Sequence, residues 1–146
     1  MKLRILLVDD EESFVDTLAE RLRNRDFNVT TALNGEEALG KIKEYNFDVA
    51  VIDVLMPGIS GIETLKEMKK LKPLTEAIML TGNATIETGI EGMKLGAYDY
   101  LMKPCEIDVL TDKIKSAYER KAEHEERIRT AFAERLRTSP MSVLKE

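Results

Sequence analysis

Cysteine and long apolar runs are scarce in this 146-residue chain, and each scarcity excludes a class of protein. Cys105 is the only cysteine, so no disulfide can form within the chain, and a reducing compartment is the natural environment. No apolar run approaches the roughly 18 residues that a membrane-spanning helix needs. The N-terminus also lacks the apolar core and cleavage site of a signal peptide. We therefore expect a cytoplasmic protein that does not enter a membrane.

The chain also lacks an excess of positive charge, since 27 Asp and Glu outnumber 22 Lys and Arg and the formal net charge is −5. A broad nucleic-acid-binding surface needs a basic face, so we expect no direct nucleic acid binding by this segment. Hydrophobic residues make up 43% of the chain, which is enough for a core. Together with the length, this composition predicts one domain.

Short apolar runs alternate with helical patterns along the chain. Strands are predicted at 4–8, 28–32, 48–52, 77–80 and 98–102. Helices are predicted at 11–24, 36–44, from a cap at Ser60 to about Leu71, at 84–95, and from about Ile107 onward. This alternation predicts an α/β fold with a parallel sheet covered on both faces. We favour the doubly wound, flavodoxin-like strand order 2-1-3-4-5, whose switch point lies between strands 1 and 3.

Polar side chains stand at the carboxyl ends of four of these apolar runs. Asp9 and Asp10 follow the first run and Asp53 follows the third, while Thr81 and Lys103 follow the fourth and fifth. In an open parallel sheet those ends converge on one crevice, where ligands bind. Two carboxylates about 4 Å apart repel by roughly 4 kcal/mol at an effective dielectric near 20, so we expect a cation among them. Oxygen ligands without nearby His or Cys suit Mg²⁺ or Mn²⁺.

Asp53 is the candidate nucleophile because it ends the central strand and precedes a loop that contains Pro57 and Gly58. A carboxylate that attacks phosphorus forms an acyl phosphate. Such a transfer needs positioning and charge neutralisation more than a base. The Lys103 ammonium can neutralise a phosphoryl oxygen, and the Thr81 hydroxyl can donate to another.

Four segments of the chain together resemble the receiver domain of two-component response regulators, over about residues 3 to 120. They are Leu6-Leu7-Val8-Asp9-Asp10-Glu11, Val51-Ile52-Asp53-Val54-Leu55-Met56-Pro57-Gly58, Leu80-Thr81-Gly82 and Tyr100-Leu101-Met102-Lys103-Pro104. Each segment is a weak signal alone, but their order and spacing make the combination specific.

The resemblance implies a role for each site residue. It implies that Asp53 accepts a phosphoryl group from a phosphohistidine on a sensor histidine kinase or a phosphotransfer protein. Asp10 is implied to bind Mg²⁺ (or Mn²⁺) directly and Asp9 through water. Asp53 and the backbone carbonyl of Leu55 complete the implied metal contacts.

The resemblance also implies how a phosphoryl group is held and sensed. Thr81 and Lys103 are implied to bind the phosphoryl group, and Tyr100 to turn inward when Thr81 moves. A cis Lys103-Pro104 bond is implied as well. Leu55 and Asn83 occupy positions that tune dephosphorylation in this family, so the phosphoryl lifetime stays open.

The fourth helix, the fifth strand and the final helix form the expected switching surface. We expect this surface to contact a downstream protein target or an output domain. A homodimer through this surface or through the C-terminal helix is a further expectation. Gly89 and Gly92 lie in the fourth helix, and the sequence leaves open whether they loosen it or pack closely against a neighbour.

The C-terminal third extends beyond the resemblance. We assign residues 1–121 to the receiver domain and residues 122–146 to a helical extension or linker, without a separate output domain. A helix from 107 to 137 would be about 46 Å long, and Ile128, Phe132 and Leu136 give its second half a narrow apolar stripe. The extension could pair with another subunit, dock on a partner, serve as a linker, or stand in solvent. Lys121 and His124 interrupt a heptad pattern, which argues against a strong coiled coil.

Three functions compete on these residues. The first is a signalling switch that catalyses its own phosphorylation and dephosphorylation and is not a turnover enzyme. The second is a phosphatase of the haloacid-dehalogenase type, which needs a second Asp two residues after the nucleophile, where this chain has Leu55. The third is a flavin binder, which needs a Ser/Thr-rich loop after the first strand, where this chain has four acidic residues. The pattern favours the switch.

Overall fold

The computed structural model describes residues 2–82 and 86–138, and within these ranges strands and helices alternate strictly. The strands are β1 (Arg4–Val8), β2 (Asn28–Ala32), β3 (Val49–Ile52), β4 (Glu76–Thr81) and β5 (Asp99–Met102). The helices are α1 (Glu12–Arg23), α2 (Gly35–Glu44), α3 (Gly61–Leu71), α4 (Ile86–Lys94) and α5 (Ile107–Thr138). The predicted elements are all present, with most boundaries within one or two residues. The predicted start of the fourth helix, together with Asn83, lies outside the described residues.

The five strands form one parallel sheet in the order β2-β1-β3-β4-β5, which confirms the predicted topology. Val8 at the end of β1 pairs with Ile52 at the end of β3. Ile52 in turn pairs with Met79 of β4. This register brings the carboxyl ends of the three central strands to the same edge of the sheet, beside the switch point where ligands bind in such folds.

Hydrophobic side chains cover both faces of the sheet because alternate strand residues point in opposite directions. Ile5 and Leu7 of β1 pack in a cluster with α1 and α5. Leu6 and Val8 pack on the other face in a cluster with α2 and α3. Each fully buried aliphatic side chain of this size contributes roughly 1.5–3 kcal/mol. The two layers hold the sheet rigidly and so fix the positions of its strand ends.

Local signals at the helix ends agree with the sequence. The Asn34 side chain accepts a hydrogen bond of 2.8 Å from the Glu37 backbone N–H and so caps the start of α2. Ser60 and Glu63 form a reciprocal capping box at the start of α3. Gly96 follows α4 with a φ of +98°, the left-handed conformation in which glycine commonly ends a helix.

The fourth strand begins one residue earlier than predicted, at Glu76, whose carboxylate is almost fully buried. Lys69 of α3 pairs with this carboxylate at 3.1 Å. The Arg120 guanidinium of α5 also pairs with it, and lies over the Tyr98 ring at 4.8 Å from its centroid. Two cations therefore make a charged strand residue tolerable here. The sequence-based prediction missed this because Glu is depleted in strands.

Helix α5 runs without a break through the predicted boundary after residue 121. Its 32 residues correspond to a length of about 48 Å. Its buried residues all lie between Leu110 and Ala117, and Lys121 pairs with Asp48, just before β3, at 3.4 Å. Residues 126–138 are exposed, including Phe132. No helix in the described ranges is both long and apolar enough to span a bilayer.

Gly89 and Gly92 of α4 both face the Tyr100 ring. A Cβ atom built at Gly89 would lie 3.8 Å from that ring, and one built at Gly92 would lie 3.6 Å from Met79. These are ordinary van der Waals distances, so an alanine fits at either position. Close packing therefore does not by itself require glycine, and the idea that the two glycines loosen α4 stays a prediction.

Candidate functional site

The strand ends bring Asp9, Asp10 and Asp53 together at one edge of the sheet. Asp53 continues the ladder, since its N–H donates to the Val8 carbonyl at 2.9 Å. Asp9 and Asp53 are buried and Asp10 is exposed. One carboxylate oxygen from each of the three lies within 4.8 Å of the others. The convergence expected from a parallel sheet is therefore present in the molecule.

Lys103 reaches the same crevice from the end of β5. Its backbone N–H donates to the Thr81 carbonyl at 2.8 Å, which extends the β4–β5 ladder by one residue. Its ammonium donates to Asp9 Oδ2 at 2.5 Å and lies 3.5 Å from Glu11 Oε1 and 4.0 Å from Asp53 Oδ2. Burial opposes the charged form, but the hydrogen bond and charge of Asp9 outweigh it and raise the pKa of Lys103. The Lys103 ammonium is thus held among three carboxylates.

Asp53 sits in an environment that disfavours its negative charge. Its side chain is 8% exposed, and burial is the main reason why its pKa lies above the ordinary value. The charge of Asp9 raises the pKa further, while Lys103 and a hydrogen bond from Thr81 oppose the rise. A positive charge that enters the crevice therefore stabilises the ionised form of Asp53.

The donor set fits a hard divalent cation. The cluster offers three carboxylates and, in the described part of the chain, contains no His or Cys ligand. Mg²⁺ takes one or two protein carboxylates and keeps several waters, and the exposed Asp10 leaves the site open to water. Leu55 lies in the β3–α3 loop and is 53% exposed. The role of its backbone carbonyl stays a prediction.

Tyr100 stands apart from the carboxylates. Its ring packs against the hydrophobic cluster of α2 and α3, and its hydroxyl shares a hydrogen bond of 2.7 Å with the Thr88 hydroxyl of α4. Tyr100 pairs with Met79 of the adjacent strand β4, two residues before Thr81. The switching role of Tyr100 stays a prediction. The Lys103-Pro104 peptide bond is cis, as the resemblance implied.

Sequence reasoning missed two neighbours of the lysine. Glu11 stands in the acidic segment after the first strand and Phe14 carries no charge, so the sequence predicts a contact with the lysine for neither. The structure places the Lys103 ammonium 4.1 Å from the centroid of the Phe14 ring. Phe14 lies in the first turn of the helix that follows Asp9 and Asp10, and this proximity to the crevice was the available signal.

Comparisons with known proteins agree with the geometry. The family model for the response regulator receiver domain matches residues 5–115. The transcriptional regulatory protein ZraR of Salmonella typhimurium is 40% identical over 116 residues, which cover 80% of this chain and 26% of that protein. The chain thus spans about a quarter of the length of that relative.

Solved structures show the same similarity. A CheY-like receiver domain protein from Methanospirillum hungatei JF-1 superposes with a TM-score of 0.82 at 32% identity, over 85% of this chain and 99% of that one. A response regulator protein from Burkholderia pseudomallei, solved with a phosphorylated aspartic acid and a calcium ion, has a TM-score of 0.75 at 31% identity. That match covers 84% of this chain and 73% of the other. The fold, the acidic crevice and the matched family together establish that this chain belongs to the response regulator receiver domain family.

Proposed function

We propose that this chain is a phosphorylation-driven signalling switch whose phosphoacceptor is Asp53. Receiver domains of this family work through phosphorylation of an aspartate. The observation that carries the assignment is the convergence of Asp9, Asp10 and Asp53 within 4.8 Å beside the Lys103 ammonium. Asp53 is buried, lies 4.0 Å from the Lys103 ammonium and accepts a hydrogen bond from Thr81, so groups that can stabilise a phosphoryl transfer surround it.

The proposed reaction transfers a phosphoryl group from a phosphohistidine of a sensor histidine kinase or a phosphotransfer protein. An Asp53 carboxylate oxygen forms the new bond to phosphorus while the bond from phosphorus to the imidazole nitrogen breaks. The electron pair of that bond leaves with the imidazole, which takes a proton from water. Lys103 would neutralise one phosphoryl oxygen, and the Thr81 hydroxyl would donate to another.

A divalent cation fits this site, and Mg²⁺ or Mn²⁺ is the proposed cofactor. Receiver domains generally bind Mg²⁺ at an acidic pocket. Asp9, Asp10, Asp53 and the carbonyl of Leu55 are the proposed ligands. When bound, the cation neutralises charge that builds up on the phosphoryl oxygens. Asp9 keeps both oxygens engaged in this structure, one by Lys103 and one by the Glu11 backbone N–H at 3.0 Å, which supports a water-mediated role for it.

The proposed output surface is formed by α4, β5 and α5. Ile86 is 79% exposed, and Ile90, Met93 and Met102 are also exposed on this surface. A phosphoryl group adds about 1.5 to 2 negative charges at Asp53, and it competes with Asp9 for Lys103 and draws Thr81 toward it. Tyr100, packed under α4, would then transmit the change. Exposed apolar residues at the switching element support a role in partner contact.

Receiver domains interact with histidine kinases and output domains, and some form dimers. We propose that the output of this chain is a downstream protein or an attached module, in keeping with the description of ZraR as a transcriptional regulatory protein. Dimerisation through the α4-β5-α5 surface or through the extension of α5 is an accompanying proposal. We also propose that the chain is a switch and not a turnover enzyme.

Incubation with acetyl phosphate and Mg²⁺, followed by intact mass measurement, tests the proposal. We expect one phosphoryl adduct on the wild type and none on Asp53→Asn. Asp16→Asn is the matched control, since Asp16 is an exposed aspartate of α1, and it should be labelled like the wild type. Chelation of the divalent cation should abolish labelling.

Three results would contradict the proposal. Labelling that survives in Asp53→Asn would place the acceptor elsewhere. Sustained turnover of small phosphoesters, many molecules per protein, would indicate a phosphatase. Yellow absorbance of the purified protein would instead indicate a flavin binder.

A further inference from the structure

The Lys103 side chain is held from two sides, by carboxylates and by an aromatic ring. The carboxylates of Asp9, Glu11 and Asp53 lie 2.5, 3.5 and 4.0 Å from its ammonium. The Phe14 ring lies on another side, with its centroid 4.1 Å away. A cation within about 6 Å of a ring centroid is attracted by the negative face of the ring. The lysine is only 14% exposed, so water competes weakly with that attraction.

The Phe14 ring is held in place by the packing of α1. Phe14 is half-buried in the first turns of α1 and packs against the hydrophobic cluster that joins α1 to α5. It lines a cavity of about 220 Å³ between α1 and the β5–α5 loop, together with Leu18, Leu80 and Cys105. The helix and the cluster therefore fix the ring in place beside the ammonium.

The position of the Lys103 ammonium has to be fixed because the side chain is flexible and several carboxylates compete for the ammonium. Lysine carries a point charge on four methylenes and has no preferred fork geometry. Glu11 is 67% exposed and offers the ammonium a partner outside the crevice. An ammonium drawn toward Glu11 would lie farther from Asp53. The ring occupies one side of the lysine and favours the positions that keep it near the crevice.

We propose that Phe14 is a positioning residue, whose ring holds the Lys103 ammonium where it can neutralise a phosphoryl group on Asp53. The proposal rests on the proposed function of Asp53 and Lys103. Phe14 acts through the lysine and does not itself contact the reacting atoms. The alternative is that Phe14 only fills space between α1 and α5, in which case any apolar side chain of similar size would serve.

The experiment compares Phe14→Leu and Phe14→Met, which keep apolar bulk but remove the ring, with Phe14→Tyr, which keeps it. Tyr45→Leu is the matched control, because Tyr45 is an exposed aromatic at the end of α2. The phosphorylation rate is measured over a range of phosphoramidate concentrations with Mg²⁺ present. We expect the maximal rate to fall about tenfold in Phe14→Leu and Phe14→Met, with the half-saturating concentration within twofold of the wild type. Phe14→Tyr and Tyr45→Leu should stay within twofold in both.

A second measurement does not depend on phosphorylation. The NMR resonances of the Lys103 ε-methylene protons should be shifted upfield in the wild type and in Phe14→Tyr by the ring current. They should return toward free-lysine values in Phe14→Leu. Loss of this shift with no loss of rate would overturn the proposal while leaving Asp53 as acceptor, and so would an equal loss of rate in Phe14→Leu and Phe14→Tyr. An unlabelled wild type would refute the proposed function itself, whatever the NMR shows.

Discussion

Replacing Asp53 by Asn should stabilise this protein when no divalent cation is present. The Asp53 side chain is 8% exposed, and one of its oxygens lies within 4.8 Å of one oxygen of Asp9 and one of Asp10. Burial and the charge of Asp9 raise its pKa, which means that the folded protein favours the protonated form. The ionised form therefore lowers the free energy of unfolding at neutral pH. An amide of the same shape removes that charge.

The structure sets the size of the effect. Two unit charges 4.8 Å apart repel by roughly 3.5 kcal/mol at an effective dielectric near 20. Asp53 is repelled by two such carboxylates. By the same relation, its attraction to the Lys103 ammonium at 4.0 Å offsets roughly 4 kcal/mol of that repulsion. About one carboxylate pair remains uncompensated, and the exposure of Asp10 reduces it further through solvent screening. We expect Asp53→Asn to gain about 1–3 kcal/mol.

The assay is urea unfolding in a chelating buffer at several pH values, with the wild type, Asp53→Asn and the exposed control Asp16→Asn. Because the folded pKa of Asp53 is raised above the unfolded value, the penalty is absent below the unfolded pKa. It develops as pH rises through the folded pKa, so the gap between wild type and Asp53→Asn should close in acid. Added Mg²⁺ should narrow the gap at neutral pH, because the wild type binds it more tightly. An Asp53→Asn variant no more stable than Asp16→Asn at neutral pH, or a gap that persists in acid, would refute this reasoning.

Two further substitutions probe the packing that positions the site. Arg120→Met removes the guanidinium from the buried Glu76 carboxylate, whose side chain is 3% exposed. We expect the free energy of unfolding in urea to fall by about 2–4 kcal/mol. A fall smaller than the error of the assay would mean that this pair contributes nothing to stability. Gly61→Ala should cost about 3 kcal/mol or more, because a Cβ there would lie 1.9 Å from the Asp53 carbonyl oxygen. Gly40→Ala is its control, since nothing lies within 4 Å of a Cβ at that position. We expect this control to gain about 0.5–1 kcal/mol of stability from helix propensity. Equal effects at the two glycines would contradict the contact seen at Gly61.

The central geometry of the crevice was predictable from the sequence because it follows from strand topology. Once five strand–helix units are recognised, a parallel sheet places the residues after each strand at one edge. Strand topology alone therefore predicts that Asp9, Asp53 and Lys103 lie close together, without any knowledge of side-chain positions. The helix caps at Asn34 and Ser60 were predictable for a similar reason, since each depends on residues at most three positions apart.

Contacts between distant residues were not predictable. The burial of Glu76 depends on Lys69 and on Arg120, which lies 44 residues away. No local pattern signals that two cations from different helices will meet one strand carboxylate. The pairing of Lys103 with Asp9, rather than first with Asp53, depends likewise on side-chain positions that spacing does not determine. Propensity and periodicity describe single elements, while these contacts arise only when the elements pack.

The uninterrupted course of α5 has a geometrical consequence for whatever lies next to its exposed end. The helix is fixed at the base of the sheet by the pair of Lys121 with Asp48, and 17 residues, or about 25 Å of helix, continue beyond that point to Thr138. A tilt of the helix by about 10° at its anchor would displace the far end by about 4 Å over this distance. A sub-ångström rearrangement near the sheet is thereby magnified at a distance, without any flexible joint in between.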